Sequence, residues 1–99
     1  MLAGVSMRFV WNAEKARANR RRHGVTFDEA MTVFRDPLAR IHDDPEHSEE
    51  ERREIIIGHS AHGRLLLVSF TEREGAIRVI SARQASHYER EDYEEATGK

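Results

Sequence analysis

Residues 65–71 and 76–82 are two β-rich, largely apolar runs, each sorting into two rows of alternate positions. That is the spacing of β-strands. Between the two runs lie Glu72-Arg73-Glu74-Gly75, a short polar connection with a glycine, so the pair is predicted to form a hairpin. Leu66, Val68 and Phe70 make one apolar row. The other row begins with Leu65 and Leu67 and turns polar at Ser69, Thr71 and Arg73. On the second strand Ile77 and Val79 lead to Ser81 and Arg83. One sheet face is therefore expected to be buried along its length, while the other changes from apolar to hydroxyl and guanidinium. Strict alternation points Arg78 the opposite way from Arg83.

The remaining elements follow from periodicity and punctuation. Residues 8–11 (RFVW) read as a short strand. Asn12 is the predicted N-cap of a helix from Ala13 to His23, stopped by Gly24, with Glu14 in its first turn. Its apolar face is thin: Ala13, Ala16 and the stems of Arg17 and Arg20. Thr26 and Glu29 have capping-box spacing, flanked by Val25 and Ala30 as a hydrophobic staple. Phe27, Ala30, Met31 and Phe34 then fall on one helical face and are predicted core, with Asp36-Pro37 ending the helix. A strand is predicted over 38–42, an exposed acidic loop over 43–51, and a strand over 53–59 whose Ile55-Ile56-Ile57 implies burial on both faces. Ser86 and Glu89 form a second capping box, opening an acidic helix to about Ala96 that docks loosely through Tyr88 and Tyr93. The order is strand, two helices, four strands, helix. This predicts an α+β fold, with both opening helices on one face of a mostly antiparallel sheet.

Length changes the picture little: 99 residues make one domain, with 1–6 expected as a patternless extension and 7–96 as the folded unit. Without cysteine there is no disulfide framework and no thiolate chemistry. No apolar run has the length of a membrane span, and the N-terminus lacks a signal peptide, so a cytoplasmic protein is expected. Charge matters more. The net charge of −2 conceals basic stretches at 8–40 and 64–83 and acidic stretches at 43–54 and 87–99. Of 16 basic residues 14 are arginine, the side chain whose planar fork suits phosphate. The run Arg20-Arg21-Arg22-His23 complements the helix dipole, and three consecutive arginines also cover more than one helix face, as a phosphate clamp would.

Metal-free cleavage of RNA needs help in deprotonating a 2′-hydroxyl, in stabilising charge at phosphorus and in protonating the leaving oxygen. Arginines supply the second and histidine suits proton transfer. The candidates are Arg64, Arg73, Arg78 and Arg83 on the sheet, with Arg22 and His23 at the helix end. A metal site from His42, Asp43, Asp44 and His47 is the competing reading, although no ligand spacing there is diagnostic.

Several stretches together resemble the BrnT family of type II toxins. They are FVWN (9–12) with Lys15 and Asn19, HGVTFDEA (23–30), VFRDP (33–37), Glu51-Arg52, Ile57-Gly58, GRLL (63–66), FTER (70–73) and IRVISAR (77–83), followed by Glu89 and Tyr93. The likeness covers residues 8–94. It implies a RelE-like fold and a ribosome-independent endoribonuclease working without a cofactor. It also implies a hetero-oligomer with a BrnA-like ribbon-helix-helix antitoxin, which contacts operator DNA through that antitoxin. By position, the resemblance carries His23, Arg64, Arg73, Ser81 and Arg83 into the expected site. The roles assigned are His23, Arg73 and Arg83 as catalytic, Arg22, Arg64 and Ser81 as RNA-binding, and no metal. Asn12 stands where the family commonly has Asp, and Arg22 where it commonly has Lys. A non-catalytic module that binds the antitoxin and aids repression is the alternative function. The mechanism requires His23, Arg73 and Arg83 to converge on one patch.

Overall fold

The computed structural model describes residues 7–44, 46 and 52–98. Its elements are β1 (Arg8–Val10), α1 (Ala13–His23), α2 (Phe27–Thr32), β2 (Arg40–Asp43), β3 (Glu54–His59), β4 (Leu65–Arg73), β5 (Ala76–Gln84) and α3 (His87–Thr97). A single 3-10 turn, Val33–Arg35, closes α2. The expected extension at 1–6 and most of the expected acidic loop lie outside the described residues. The strand expected over 38–42 begins later, at Arg40, because Asp36 first folds the chain back: its carboxylate accepts the Leu38 N–H at 2.9 Å.

The sheet has five strands in the order β1-β5-β4-β3-β2. β2 to β5 form an antiparallel meander, and β1 joins β5 in parallel, so the sheet is mixed. The hairpin turn is tighter than four residues. Glu74 and Gly75 alone connect β4 to β5, both at positive φ (53° and 78°). Two successive left-handed residues match the right-handed twist of a two-residue hairpin.

Successive strand residues point to opposite faces, and the two clusters of buried side chains separate accordingly. Ile56, Leu66, Val68, Phe70, Ile77, Val79 and Ala82 pack with Val25, Phe27, Ala30 and Val33 on the α2 side. Phe34 links this core to β1 and β4, with its ring centroid 5.1 Å from Phe9 and 5.0 Å from Phe70, both edge-on. Val33 is fully buried although its position was not among those predicted, whereas Met31 is only half-buried. The 3-10 turn rotates the chain after Thr32 and so re-aims Val33.

On the opposite face Tyr93 of α3 packs against Ile57 and Leu65, with Leu67 and Ala85 beside them. This corrects the expectation of a loosely docked helix. Tyr93 is 2% exposed, and its hydroxyl donates to Asp36 Oδ2 at 3.1 Å. The same oxygen accepts the His59 N–H at 2.7 Å, so one carboxylate joins the end of α2, β3 and α3. Those bonds hold the Asp36 carboxyl below its usual range despite the opposing effect of burial. Gly58 permits the approach: a Cβ there would lie 2.9 Å from the Ala39 Cβ and 3.0 Å from Asp36 Oδ2. Tyr88, by contrast, is 81% exposed and adds nothing to docking.

Candidate active site

One irregularity in the hairpin decides which arginines share a face. In the β4–β5 register Ser69 faces Ser81 but Phe70 faces Val79, so Ile80 is an extra residue in a β-bulge. The bulge reverses the alternation on β5. Val79 and Ile77 join Ala82 in the α2-side core, and Arg78, opposite Thr71, emerges on the α3 side. The expectation that Arg78 and Arg83 point to opposite faces is overturned. Ser81, Arg83 and Arg78 all lie on the α3 side with Ser69, Thr71 and Arg73.

Arg83 sits opposite Leu67, one residue from the end of β5. Its guanidinium meets Glu89 of α3 in a fork, Nη1 to Oε1 and Nη2 to Oε2, each at 2.8 Å. Nη1 also donates to the Gln84 carbonyl at 3.2 Å. Glu89 is pinned in turn, because its Oε1 accepts the Ser86 N–H at 2.8 Å in a complete capping box. The Arg83 fork, with help from the Ser86 backbone and against burial, lowers the Glu89 carboxyl to about 2. The same fork raises the Arg83 pKa. Both partners are therefore charged across the physiological range. A guanidinium has five N–H donors. Glu89 and Gln84 take three, and among the described residues no acceptor takes the side edge formed by Nε and the remaining Nη2 hydrogen. Beside this pair runs a groove of about 300 Å³, with Ile55, Ile57 and Leu67 as floor and Arg40, His42 and Arg83 at its rims.

The end of α1 is brought to the same end of β5. β1 covers only Ala76–Arg78 of β5, so the outer edge of β5 beyond the bulge needs other partners. Asn19 supplies them. Its Oδ1 accepts the Ala82 N–H at 3.1 Å, and its Nδ2 donates to the Ala82 carbonyl at 2.8 Å and to the Val25 carbonyl at 3.0 Å. A side-chain amide thus takes the place of a missing strand. His23 lies four residues after Asn19, on the same side of α1 and one turn nearer the helix end. Gly24 then terminates α1 in the left-handed conformation, φ 69°. Arg20, Arg21, Arg22 and His23 are all exposed there.

Arg64 fastens this corner. Its Nη2 reaches the Gly24 carbonyl at 3.1 Å, while Nε and Nη2 clasp the buried Glu29 carboxylate at 2.9 and 2.5 Å. Ser60 donates to the same carboxylate at 2.7 Å. The Arg64 bond leads the causes that hold the Glu29 carboxyl below its usual range. The expected Thr26–Glu29 capping box is therefore half formed. Thr26 Oγ1 accepts the Glu29 N–H at 3.0 Å, but the Glu29 side chain turns to Arg64 and Ser60. Arg64 has its fork occupied by protein, which makes it a brace for the α1 terminus.

Arg73 is elsewhere. It faces Ala76 beside the hairpin turn, six residues along β4 from Leu67, the partner of Arg83. At the usual rise per residue that separates the two arginines by roughly 20 Å, so they do not meet at one phosphate. The expected convergence of His23, Arg73 and Arg83 on one patch fails for Arg73, while Asn19 ties the helix that carries His23 to β5 at Ala82, the residue before Arg83. Ser81 lies between them, opposite Ser69.

For the competing metal reading, His47 lies outside the described residues. Among those described, no group of three or more His, Cys, Asp or Glu is placed to hold a metal. Asp43 pairs with Arg52 at 3.0 Å. Likewise, no helix among the described residues is long and apolar enough to cross a membrane.

The site is thus an arginine oriented by a carboxylate at one end of a mixed sheet in an α+β fold. The family model described as "Ribonuclease toxin, BrnT, of type II toxin-antitoxin system" matches residues 11–89, and the chain belongs to that family. The fold is similar to the crystal structure of the Brucella abortus ribonuclease toxin BrnT. The TM-score is 0.66 at 24% identity, over 83% of this chain and 100% of that one. A search of curated proteins finds no match. Family membership implies an RNA substrate and an antitoxin partner.

Proposed function

We propose that this chain cleaves RNA without a metal at the corner where β5, α1 and α3 meet. In the proposed reaction the ribose 2′-oxygen attacks the adjacent phosphorus and the P–O5′ bond breaks. The products are a 2′,3′-cyclic phosphate and a 5′-hydroxyl. His23 carries the proton taken from the 2′-hydroxyl or given to O5′. Arg83 stabilises the charge that builds on the phosphoryl oxygens, and Ser81 and Arg22 contact the flanking backbone. Arg64, expected as an RNA-binding residue, acts here by bracing the α1 terminus that carries His23.

The observation that carries this reading is the state of Arg83. Glu89 holds the guanidinium fully charged and orients it, yet leaves its side edge for a second bidentate acceptor. A phosphate has the geometry for that edge. A RelE-like arrangement and inhibition by a BrnA-like ribbon-helix-helix antitoxin in the cytoplasm belong to the same proposal, as does operator binding through the complex. The test is cleavage of a defined RNA by purified protein, with and without EDTA. The expected result is equal rates, with cyclic phosphate at the new 3′ ends. Strict dependence on a divalent ion would rule the mechanism out, and complete inactivity would favour the co-repressor alternative.

A further inference from the structure

Strand register lays two rows of side chains across the α3-side face of the sheet. Arg40 pairs with Ile57, Ile57 with Leu67 and Leu67 with Arg83, so these four form one row from β2 to β5. His42, Ile55, Ser69 and Ser81 form the next. Tyr93 of α3 closes down on Ile57 and Leu65, but Ile55 and Leu67 stay only half-buried. They floor the groove of about 300 Å³ that runs beside Arg83. The walls of this groove differ in character. β2 supplies Arg40 and His42, both exposed and two residues apart on one strand face. α3 supplies Glu89 and Asp92, three residues apart on one helix face. Glu89 is forked on Arg83, and Asp92 is the exposed carboxylate of that wall.

We infer that this groove is a base pocket that selects guanine in the nucleotide beside the scissile phosphate. The inference rests on the proposed reaction at Arg83, which lines the same groove and would hold that phosphate at its rim. A flat ring lying on Ile55 and Leu67 covers apolar surface that the fold leaves in water, and unstacked bases of single-stranded RNA are held in this way, laid on side chains and read at their edges. The volume lies at the small end of ligand sites and suits one base. Three strand spacings separate the Cα atoms of Arg83 and Arg40, about 14 Å, a span that two inward-reaching guanidiniums and one nucleotide fill. Edge chemistry then picks the base. Guanine has two neighbouring N–H donors, at N1 and N2, and two neighbouring acceptors, O6 and N7. A carboxylate offers two acceptor oxygens to the first pair, and an arginine fork offers two donors to the second. Asp92 and Arg40 supply these on the two walls. Adenine and cytosine present a single amino group and uracil a single N–H, so none of them spans both oxygens of Asp92.

The experiment titrates the protein with the nucleoside 3′,5′-bisphosphates of the four bases, which carry a phosphate on either side, and follows the methyl NMR signals of Ile55, Ile57 and Leu67. The guanosine compound is expected to shift these methyls and to bind about 10-fold tighter than the other three, the discrimination of one bidentate base contact. Asp92→Asn keeps the shape but replaces one acceptor oxygen with a donor. It should erase the preference without lowering affinity for the other bases. Arg40→Ala should reduce the preference from the β2 wall. In RNA cleavage, kcat/KM beside G relative to A should fall by the same factor in Asp92→Asn. Unmoved methyls, equal affinity for all four bases, or a preference that survives Asp92→Asn would each overturn the pocket. The underlying reading is tested separately by Arg83→Ala on RNA. Normal cleavage by that variant defeats the reaction and leaves the binding result standing, whereas Arg83-dependent cleavage with equal base affinities defeats the pocket alone.

Discussion

Replacing Arg83 with Ala is expected to lower kcat/KM for RNA cleavage by roughly 10²–10³, the usual loss when one preorganised electrostatic donor is removed. The fold should be little affected. The Arg83 side chain is 40% exposed and that of Glu89 31%, so the pair is screened by water, and pairs of this kind contribute about 1 kcal/mol or less to stability. Glu89 retains a second task in the variant, because its Oε1 still accepts from the Ser86 N–H. Single-turnover kinetics together with thermal unfolding separate the two effects. Arg83→Lys should recover little activity. A lysine keeps the charge but cannot serve Glu89 on one edge and a phosphate on another. A variant that loses activity only in proportion to lost stability would reduce Arg83 to a structural tether.

Asn19→Ala is expected to destabilise the protein by about 3 kcal/mol or more. Three buried hydrogen bonds disappear together. The Ala82 N–H and the carbonyls of Ala82 and Val25 are then left without partners, each at about 1–3 kcal/mol in principle, although relaxation and water entry offset part of the sum. Set against the 5–15 kcal/mol typical of a small domain, the loss should be plain in urea unfolding. Asn19→Asp should be no better, since it keeps the acceptor for Ala82 but sets a carboxylate against two carbonyl oxygens. The effect on catalysis should exceed that on stability when measured well below the unfolding midpoint, because Asn19 also fixes where α1, and with it His23, lies along β5. Destabilisation below about 1 kcal/mol would mean that α1 is held mainly by other contacts.

Much of the fold is legible in residue pattern because the signals are local. Asn12, Gly24, Thr26 and Ser86 cap helices as their types require, and the alternation of β4 survives intact as fully buried Leu66 and Val68. What escapes is non-local. The bulge at Ile80 has no marker in IRVISAR, since it arises where β5 passes from pairing with β4 alone to pairing with both β4 and β1. An alternation rule applied across it misassigns Arg78. Asn19 reads as one polar residue on a polar helix, and only the short reach of β1 makes it the partner of a bare strand edge. Glu29 fits a capping box by spacing, yet the charged guanidinium of Arg64, 35 residues away, takes its carboxylate in place of the Thr26 backbone N–H. The helix end, His23 and Arg83 could be read as chemistry from their types alone. The separation of Arg73 from Arg83 along the sheet depends on register.

The account rests on RNA seating itself at the β5–α1 corner with a phosphate on Arg83. The most direct measurement is an NMR titration of the protein with an RNA whose 2′-hydroxyl at the cleavage position is replaced by hydrogen, so that it binds without reacting. Backbone amide shifts should centre on His23, Gly24 and residues 81–84. Shifts confined to β2 and its neighbours, with the 81–84 amides unmoved, would contradict it.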